Sequence, residues 1–410
     1  MYGNVIVIGG GAAGCLAACE AAKNGNAVTL IEKNQRIGRK VLITGKGRCN
    51  LTNYKLNINE LIENVPVNGK FLYGAFKNFM PTDTMALFEE LGVPLKVERG
   101  DRVFPVSDKA QDIVDAMDRY LRKSHVKRVN DRVIRILTEN GKVKGVETEK
   151  CGIFSADSVI IATGGSSYPR TGSTGDGYKL AMELGHTITP VKPSLVPLVS
   201  KDGSCKEMQG LSLRNIEISV VNAENGKTIY TDFGEMLFTH FGVSGPVILS
   251  ASSHPRDLNN KRYTLSIDLK PALSEEKLNE RLLRDFAENP NKDFINCLGG
   301  LLPRKMIPVF ARKCKIRNDK KVNQLTKEER QQIIKLLKNF EISIDGFRPI
   351  DEAIVTSGGI NVKEITPKSM ESKIVEGLFF AGEVIDVDAY TGGYNLQIAF
   401  STGVLAGQNA

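Results

Sequence analysis

Gly9-Gly10-Gly11-Ala12-Ala13-Gly14 has the spacing of a phosphate cradle, G-x-G-x-x-G. It lies between an apolar run and an alanine-rich segment, so the turn would join a strand to a helix. Gly9 allows the tight turn, Gly11 lets a pyrophosphate approach the backbone, and Gly14 lets helix and strand pack closely. The N–H groups of Ala12 and Ala13, at the helix start, face the anion with a partial positive charge. Glu32 follows Gly14 by 18 residues, beside Lys33. Its carboxylate can accept both hydroxyls of an adenosine ribose. Two further strand ends carry glycine: Val159-Ile-Ile-Ala-Thr-Gly-Gly165, with Thr163 and Gly164, and Gly377-Leu-Phe-Phe-Ala-Gly-Glu383, with Gly382 and Glu383. Glu383 suits a ribityl hydroxyl. Gly392-Gly393-Tyr394-Asn395 then opens a helix whose N–H groups can stabilise negative charge on a reduced ring. A long ligand that needs contacts from both chain ends is FAD, bound tightly and without a covalent link.

The elements that must position these groups follow from periodicity. Residues 4–8 read as a buried strand, Ala12 to about Lys23 as a helix stopped by Gly25, and Ala27–Glu32 as the next strand. Residues 81–91 and 108–123 read as helices, the second capped by Asp108. Residues 126–159 alternate through turns at Asn140-Gly141 and Cys151-Gly152, which predicts a three-stranded antiparallel meander. Val159–Ala162 and Val375–Ala381 read as buried strands and Tyr394–Leu405 as a helix. From Pro190 the texture changes. Residues 195–270 are strand-rich, with a turn at Asn225-Gly226. Ser274 caps a helix, and Thr326-Lys-Glu-Glu329 is a capping box for another. The fold class is therefore α/β: a Rossmann-like domain of residues 1–190 and 345–410, an inserted mainly-β domain of 191–272 and 341–344, and a helical basic subdomain of 273–340.

Composition narrows the function. The 410 residues are 41% hydrophobic and 25% charged, which excludes disorder, collagen and coiled coil as the dominant state. No run approaches the ~18 apolar residues of a membrane span, and no secretory signal is read at the start. Seven cysteines without a CxxC pair and four scattered histidines point away from disulfides and metal, and towards the cytoplasm. Residues 301–340 hold twelve Lys/Arg and three Asp/Glu, a local charge of +9 in a chain of +8. Such a segment is a solvated helix face or meets nucleic acid, an anionic membrane or a phosphate-rich ligand. It is aromatic-poor, with only Phe310 and Phe340, so base stacking is poorly served.

Longer strings carry a resemblance. They are Ile37-Gly-Arg-Lys-Val-Leu-Ile-Thr-Gly-Lys-Gly-Arg-Cys-Asn-Leu-Thr-Asn53, Arg102-Val-Phe-Pro105, Tyr168-Pro-Arg-Thr-Gly-Ser-Thr-Gly-Asp-Gly177, Gly234-Glu-Met-Leu-Phe-Thr-His-Phe-Gly-Val-Ser-Gly-Pro246, Thr356-Ser-Gly-Gly359 and Ala381-Gly-Glu-Val-Ile-Asp-Val-Asp388. With these the chain resembles, over essentially its whole length, the bacterial NAD(P)/FAD-dependent oxidoreductases of the two-dinucleotide-fold flavoprotein superfamily. That family includes BaiN-type bile-acid reductases and aminoacetone oxidases. The resemblance implies a FAD-binding domain, a barrel-like inserted domain and a helical cap. It also implies that Gly38, Arg39 and Lys40 lie near the pyrophosphate, and that Thr44, Gly45, Arg48, Cys49 and Asn50 run along the flavin. Val133 would meet the adenine through its backbone, Thr163 and Gly164 would flank the adenosine half, Glu383 would take the ribityl chain, and Asn395 and Leu396 would face the pyrimidine edge.

Flavin chemistry needs position, electrostatics and at most one proton donor from the protein. His240 and Tyr390 are the candidates; His240 also reads as a structural histidine at a turn. A second G-x-G-x-x-G after a strand is absent, so NAD(P)H, if it reduces the flavin, would visit transiently and impose ping-pong kinetics. Three activities stay open: NAD(P)H-fed reduction of an activated C=C such as a steroid-like enone, oxidation of a small amine with release of peroxide, and a flavoprotein associated with RNA.

Overall fold

The apolar run Asn4–Ile8 forms β1, the centre of a five-stranded parallel sheet with β2 (Ala27–Ile31), β3 (Lys127–Val129), β4 (Ser158–Ile161) and β5 (Leu378–Phe380), in the order β5-β4-β1-β2-β3. Parallel strands are covered on both faces, which is why β1 and β4 read as unbroken Val/Ile runs. A computed structural model of the chain describes residues 3–255, 258 and 261–410. It divides into two units: residues up to Ser194 with Pro349–Ala410, and Leu195–Arg348.

In the first unit, helix α1 (Ala12–Lys23) leaves the glycine turn, and helix α2 (Tyr394–Asn409) ends the chain. Both helices are mostly buried and pack on each other. Glycine makes this possible: a Cβ at Gly403 would lie 2.4 Å from the Ala13 carbonyl oxygen, and one at Gly407 2.3 Å from that of Ala17. The adjoining layers are an antiparallel ladder of Val133–Glu139, Lys142–Thr148 and Gly152–Ser155, and a pair formed by Ile188–Ser194 and Val355–Ile360.

The second unit is a seven-stranded antiparallel sheet in the order Phe340–Ile344, Tyr263–Asp268, Ser212–Asn222, Thr228–Thr239, Gly242–Ser244, Leu198–Val199, Gly346–Phe347. Its two edge strands are joined through the single residue Asp345, whose N–H bonds the Val199 carbonyl at 2.9 Å, so the sheet curls back on itself. Ser274 caps Glu275–Glu288 and the Thr326/Glu329 box caps Lys327–Lys338, as their sequences predict.

Several boundaries differ from the sequence reading. Lys127–Val129 joins the parallel sheet beside β2, so the meander is shorter, 133–155. Asp108 does not cap the helix Ala110–Lys123; it sits at φ 57° and its carboxylate takes Lys96 and Arg48 instead. The final strand is only Leu378–Phe380, because Val375 is fixed by the Ser372 hydroxyl in a turn. The pairing of Ile188–Ser194 with Val355–Ile360 moves the crossover between units to Ser194/Leu195 and Arg348/Pro349. The helices of 273–340 are not a subdomain of their own: Leu278, Leu282, Phe310, Ile333 and Leu337 share one core with the sheet residues Ile218, Leu265 and Ile267.

Replacing Gly403 and Gly407 with Ala tests the helix contact. Alanine gains about 1 kcal/mol per site in helix propensity, but each Cβ collides with backbone that cannot yield. A net loss of about 1–3 kcal/mol is expected, read as a lower thermal midpoint.

Candidate functional site

At the end of β1 the chain turns through Gly9, at φ 105°. A Cβ there would lie 2.6 Å from the Ala162 carbonyl oxygen at the end of β4, and one on Gly14 would lie 1.9 Å from the Gly9 carbonyl oxygen. Gly11 is different, since its Cβ would meet nothing within 4 Å. It is the N-cap of α1 and supplies no side-chain acceptor. The first-turn N–H groups of Ala12, Ala13 and Gly14 therefore have no intrahelical partner, and the space at Gly11, just before them, is open. Glu32 closes one side: its Oε2 accepts the Gly10 N–H at 2.7 Å and its Oε1 accepts the Asn34 N–H at 2.7 Å. Gly38 returns the chain to the turn through its N–H on the Gly10 carbonyl, 2.8 Å.

The following residues gather around a second focus. Lys40 Nζ lies 2.8 Å from Glu383 Oε2 and 2.5 Å from Ser167 Oγ. Glu383 also accepts the Thr356 N–H at 2.8 Å, and Gly164 and Gly165 approach it within a Cβ's reach. Gly382 is pressed against Ala13 and donates its N–H to Thr402 Oγ1 at 2.9 Å. Thr163 Oγ1 is buried without a partner. Lys33 and Arg132, just before Val133, both pair with Asp176. Arg39 donates to Asn34 Oδ1 at 2.6 Å.

The third focus is the start of α2. Its N-cap, Gly393, also offers no side-chain acceptor, and it packs against Thr52, where a Cβ would lie 2.4 Å from the carbonyl. Asn53 Nδ2 holds the Gly392 carbonyl at 3.1 Å, so the segment 44–53 borders this turn. Asn395 accepts the Ala389 N–H and donates to the carbonyls of Ala389 and Tyr390, fixing the loop before the helix. Tyr394 is buried and Leu396 half-buried. Gly45 abuts Asn50, whose Oδ1 is buried and unpartnered. Thr44 Oγ1 is satisfied by the Val41 carbonyl. Arg48 is committed to Glu98 and Asp108 and lies over the Phe104 ring at 4.1 Å. Cys49 is fully buried, and burial pushes its thiol up to about 12, so it is a packing residue with no thiolate at neutral pH.

The residues fit a dinucleotide. Two uncapped helix starts, open space at Gly11 and the orphaned Thr163 Oγ1 and Asn50 Oδ1 are groups that need a polar ligand. His240 belongs to the other unit. It is exposed at the tip between Thr228–Thr239 and Gly242–Ser244, with its ring edge-on to Phe241 at 5.0 Å. Tyr390, in the first unit, is half-buried, and its N–H bonds the Asn64 carbonyl.

The sequence reading missed two features. Gln397 is fully buried and joins Thr52, Thr84, Ser401 and the Phe79 carbonyl, which fixes α2 to residues 52–84. Asp388 is 1% exposed; its Oδ2 accepts from Ser194 Oγ at 2.7 Å and its Oδ1 has no partner. Burial pushes this carboxyl up to about 6, against hydrogen bonds from Ser194 and Ser357. Only the Asp-Val-Asp string hinted at it, and alternation of that kind does not reveal burial.

A parallel sheet with a glycine cradle at its carboxyl edge, completed by the last strand and helix of the chain, defines a flavoprotein oxidoreductase of the Rossmann type. The chain belongs to the HI0933-like family, whose Rossmann-domain description matches residues 3–409. It is 32% identical over 409 residues, 98% of each chain, to the 3-dehydro-bile acid delta(4,6)-reductase of Clostridium scindens. It is 30% identical over 410 residues, 99% of this chain and 97% of the other, to the ribosomal RNA dihydrouridine synthase of Escherichia coli K12. Among solved structures, the 3-ketosteroid delta1-dehydrogenase of Sterolibacterium denitrificans superimposes with a TM-score of 0.50 at 13% identity, covering 99% of this chain and 98% of that one, which shows a common fold. Among the described residues no helix is long and apolar enough to cross a membrane.

Asp388 yields a pH prediction. A carboxyl with a raised folded-state pKa contributes stability below its unfolded value, near 4, and that contribution is lost as pH rises through about 6. Asp388→Asn removes the charge, so the variant should gain up to about 3 kcal/mol over the parent at pH 7.5 and much less at pH 4.5. Urea unfolding at both pH values measures the gap; equal gaps would refute the assignment.

Proposed function

We propose that this protein reduces a carbon–carbon double bond conjugated to a carbonyl, with FAD held by the glycine turn, Glu32, Lys40, Glu383 and the start of α2, and with NAD(P)H as the hydride source. The observation that carries this reading is the pair of full-length likenesses, to a delta(4,6)-reductase and to a dihydrouridine synthase. Their substrates differ, but both names describe saturation of a C=C beside a carbonyl, in an enone or in a uracil ring. Bound flavin supplies hydride transfer at N5. The chain's own part is electrostatic and geometric. The N–H groups at the start of α2 favour negative charge on the ring, and Asn395 holds the loop bearing Tyr390 beside them. A proton must reach the carbon next to the carbonyl, and Tyr390 is the first-unit candidate to donate it.

A second reading concerns the substrate alone. The charge of 301–340 favours a uracil within ribosomal RNA over a small enone, since a small acceptor makes no use of such a surface.

The purified protein should be yellow, and under anaerobic conditions NADH or NADPH should bleach the flavin band. An enone, or ribosomal RNA lacking dihydrouridine, should restore it. Failure of both nicotinamides to bleach the flavin would sink the proposal; peroxide formed from a small amine in air would then identify an oxidase. Tyr390→Phe should leave bleaching intact and slow reoxidation by the acceptor about 100-fold.

A further inference from the structure

Within the second unit, the basic charge is not spread evenly over residues 301–340. Its helices Glu275–Glu288 and Lys327–Lys338 carry their own acids, and Lys320 is spent on Glu329 and Lys321 on Asp293. The excess gathers where helix Ile307–Cys314 meets residues 201–209. Three contacts join them: Lys305 Nζ on the Gln209 carbonyl at 2.9 Å, Arg312 on Glu207 at 2.7 Å and Lys313 on Asp202 at 3.1 Å. The segments 201–209 and 304–315 hold seven Lys/Arg and only those two acids, a local charge of +5. Arg304, Lys305, Lys206 and Lys315 are exposed on it.

This face is anchored on both sides to one hairpin. The Ser200 N–H bonds the Phe241 carbonyl and the Gly210 N–H bonds the Phe238 carbonyl, each at 2.9 Å. Residues 201–209 therefore loop out between the two flanks of the tip that displays His240. Phe310 and Phe340, the two aromatic rings of 301–340, are both fully buried in the core. The face thus offers cations without stacking platforms, which is the composition for contacting phosphates and not bases.

We propose that the surface formed by residues 201–209 and 304–315 binds the phosphate backbone of an RNA substrate and leads it past the His240 hairpin. This rests on the reading of the substrate as RNA. Contact is electrostatic and sequence-independent, so affinity falls with salt as counterions are released. Base choice would be made elsewhere, at the reacting site.

The test is a titration of the flavin-loaded protein with a uridine-containing ribosomal RNA hairpin at several KCl concentrations. Three proteins are compared: the parent, Lys206→Glu with Lys315→Glu, and Lys277→Glu with Arg284→Glu as an equal charge change on another helix of the unit. Flavin content and thermal midpoint confirm that each is folded. The first double variant should bind at least 10-fold more weakly, with a salt slope shallower by about 1.5, while the control pair changes little. If both pairs weaken binding equally, or neither does, the surface assignment is overturned and the RNA reading survives. If the parent itself shows no salt-dependent binding, the RNA reading falls and this surface with it.

Discussion

The contact on which the first unit depends is the approach of two helix backbones at Gly403 and Gly407. The carbonyls of Ala13 and Ala17 occupy the space where side chains would stand. Only at that distance can α2, from the last residues of the chain, lie along α1, from the first. The approach sets Gly382 against Ala13 and brings Glu383 to Lys40, so that the glycine turn and the C-terminal strand end become parts of one site. Gln397 then anchors α2 through Thr52, Thr84 and the Phe79 carbonyl, with Ser401 of α2 as its fourth partner, in a buried interior where an unsatisfied amide would cost about 1–3 kcal/mol. Apolar packing holds the two helices together, and the buried amide ties α2 to Thr52, Thr84 and the Phe79 carbonyl.

Much of this was legible in the sequence because local rules and tertiary demands agree. The strand, glycine turn and helix at residues 4–23 form as their spacing predicts, as do the caps at Ser274 and Thr326 and the hairpin turn at Asn225-Gly226. Where the reading failed, a tertiary partner outbid a local one. Asp108 has the chemistry of a cap, but Arg48 and Lys96 claim its carboxylate. Lys127–Val129 alternates like the meander after it, but an open edge beside β2 takes it. Lys40 and Glu383 were read as separate ligand contacts, and no spacing rule discloses that residues so far apart in sequence form an ion pair. Asp388 was invisible for a related reason: its partner Ser194 is on the far side of the inserted unit in sequence.

The second unit shows how one stretch can satisfy two readings. In 301–340 the apolar side chains Phe310, Ile333, Ile334 and Leu337 are buried and most cations point outward, as in any amphipathic helix pair. Two of its three acids, Glu328 and Glu329, are used at a helix start, where a capping box and the helix dipole favour them. The remaining face is therefore basic by default, and the neighbouring 201–209 segment supplies too little acid to neutralise it.

The curled sheet of the second unit has both edge strands supplied by residues 340–347, on either side of Asp345. That unit is one uninterrupted stretch, Leu195–Arg348, with a core of its own. It can close as soon as its last two strands emerge during synthesis. The first unit cannot, because β5 and α2 follow the insertion in sequence. The nascent chain thus carries a finished insertion and a four-stranded parallel sheet that still lacks β5 and α2. The lifetime of that incomplete state is set by how soon Leu378–Phe380 and Tyr394–Asn409 follow the insertion out of the ribosome.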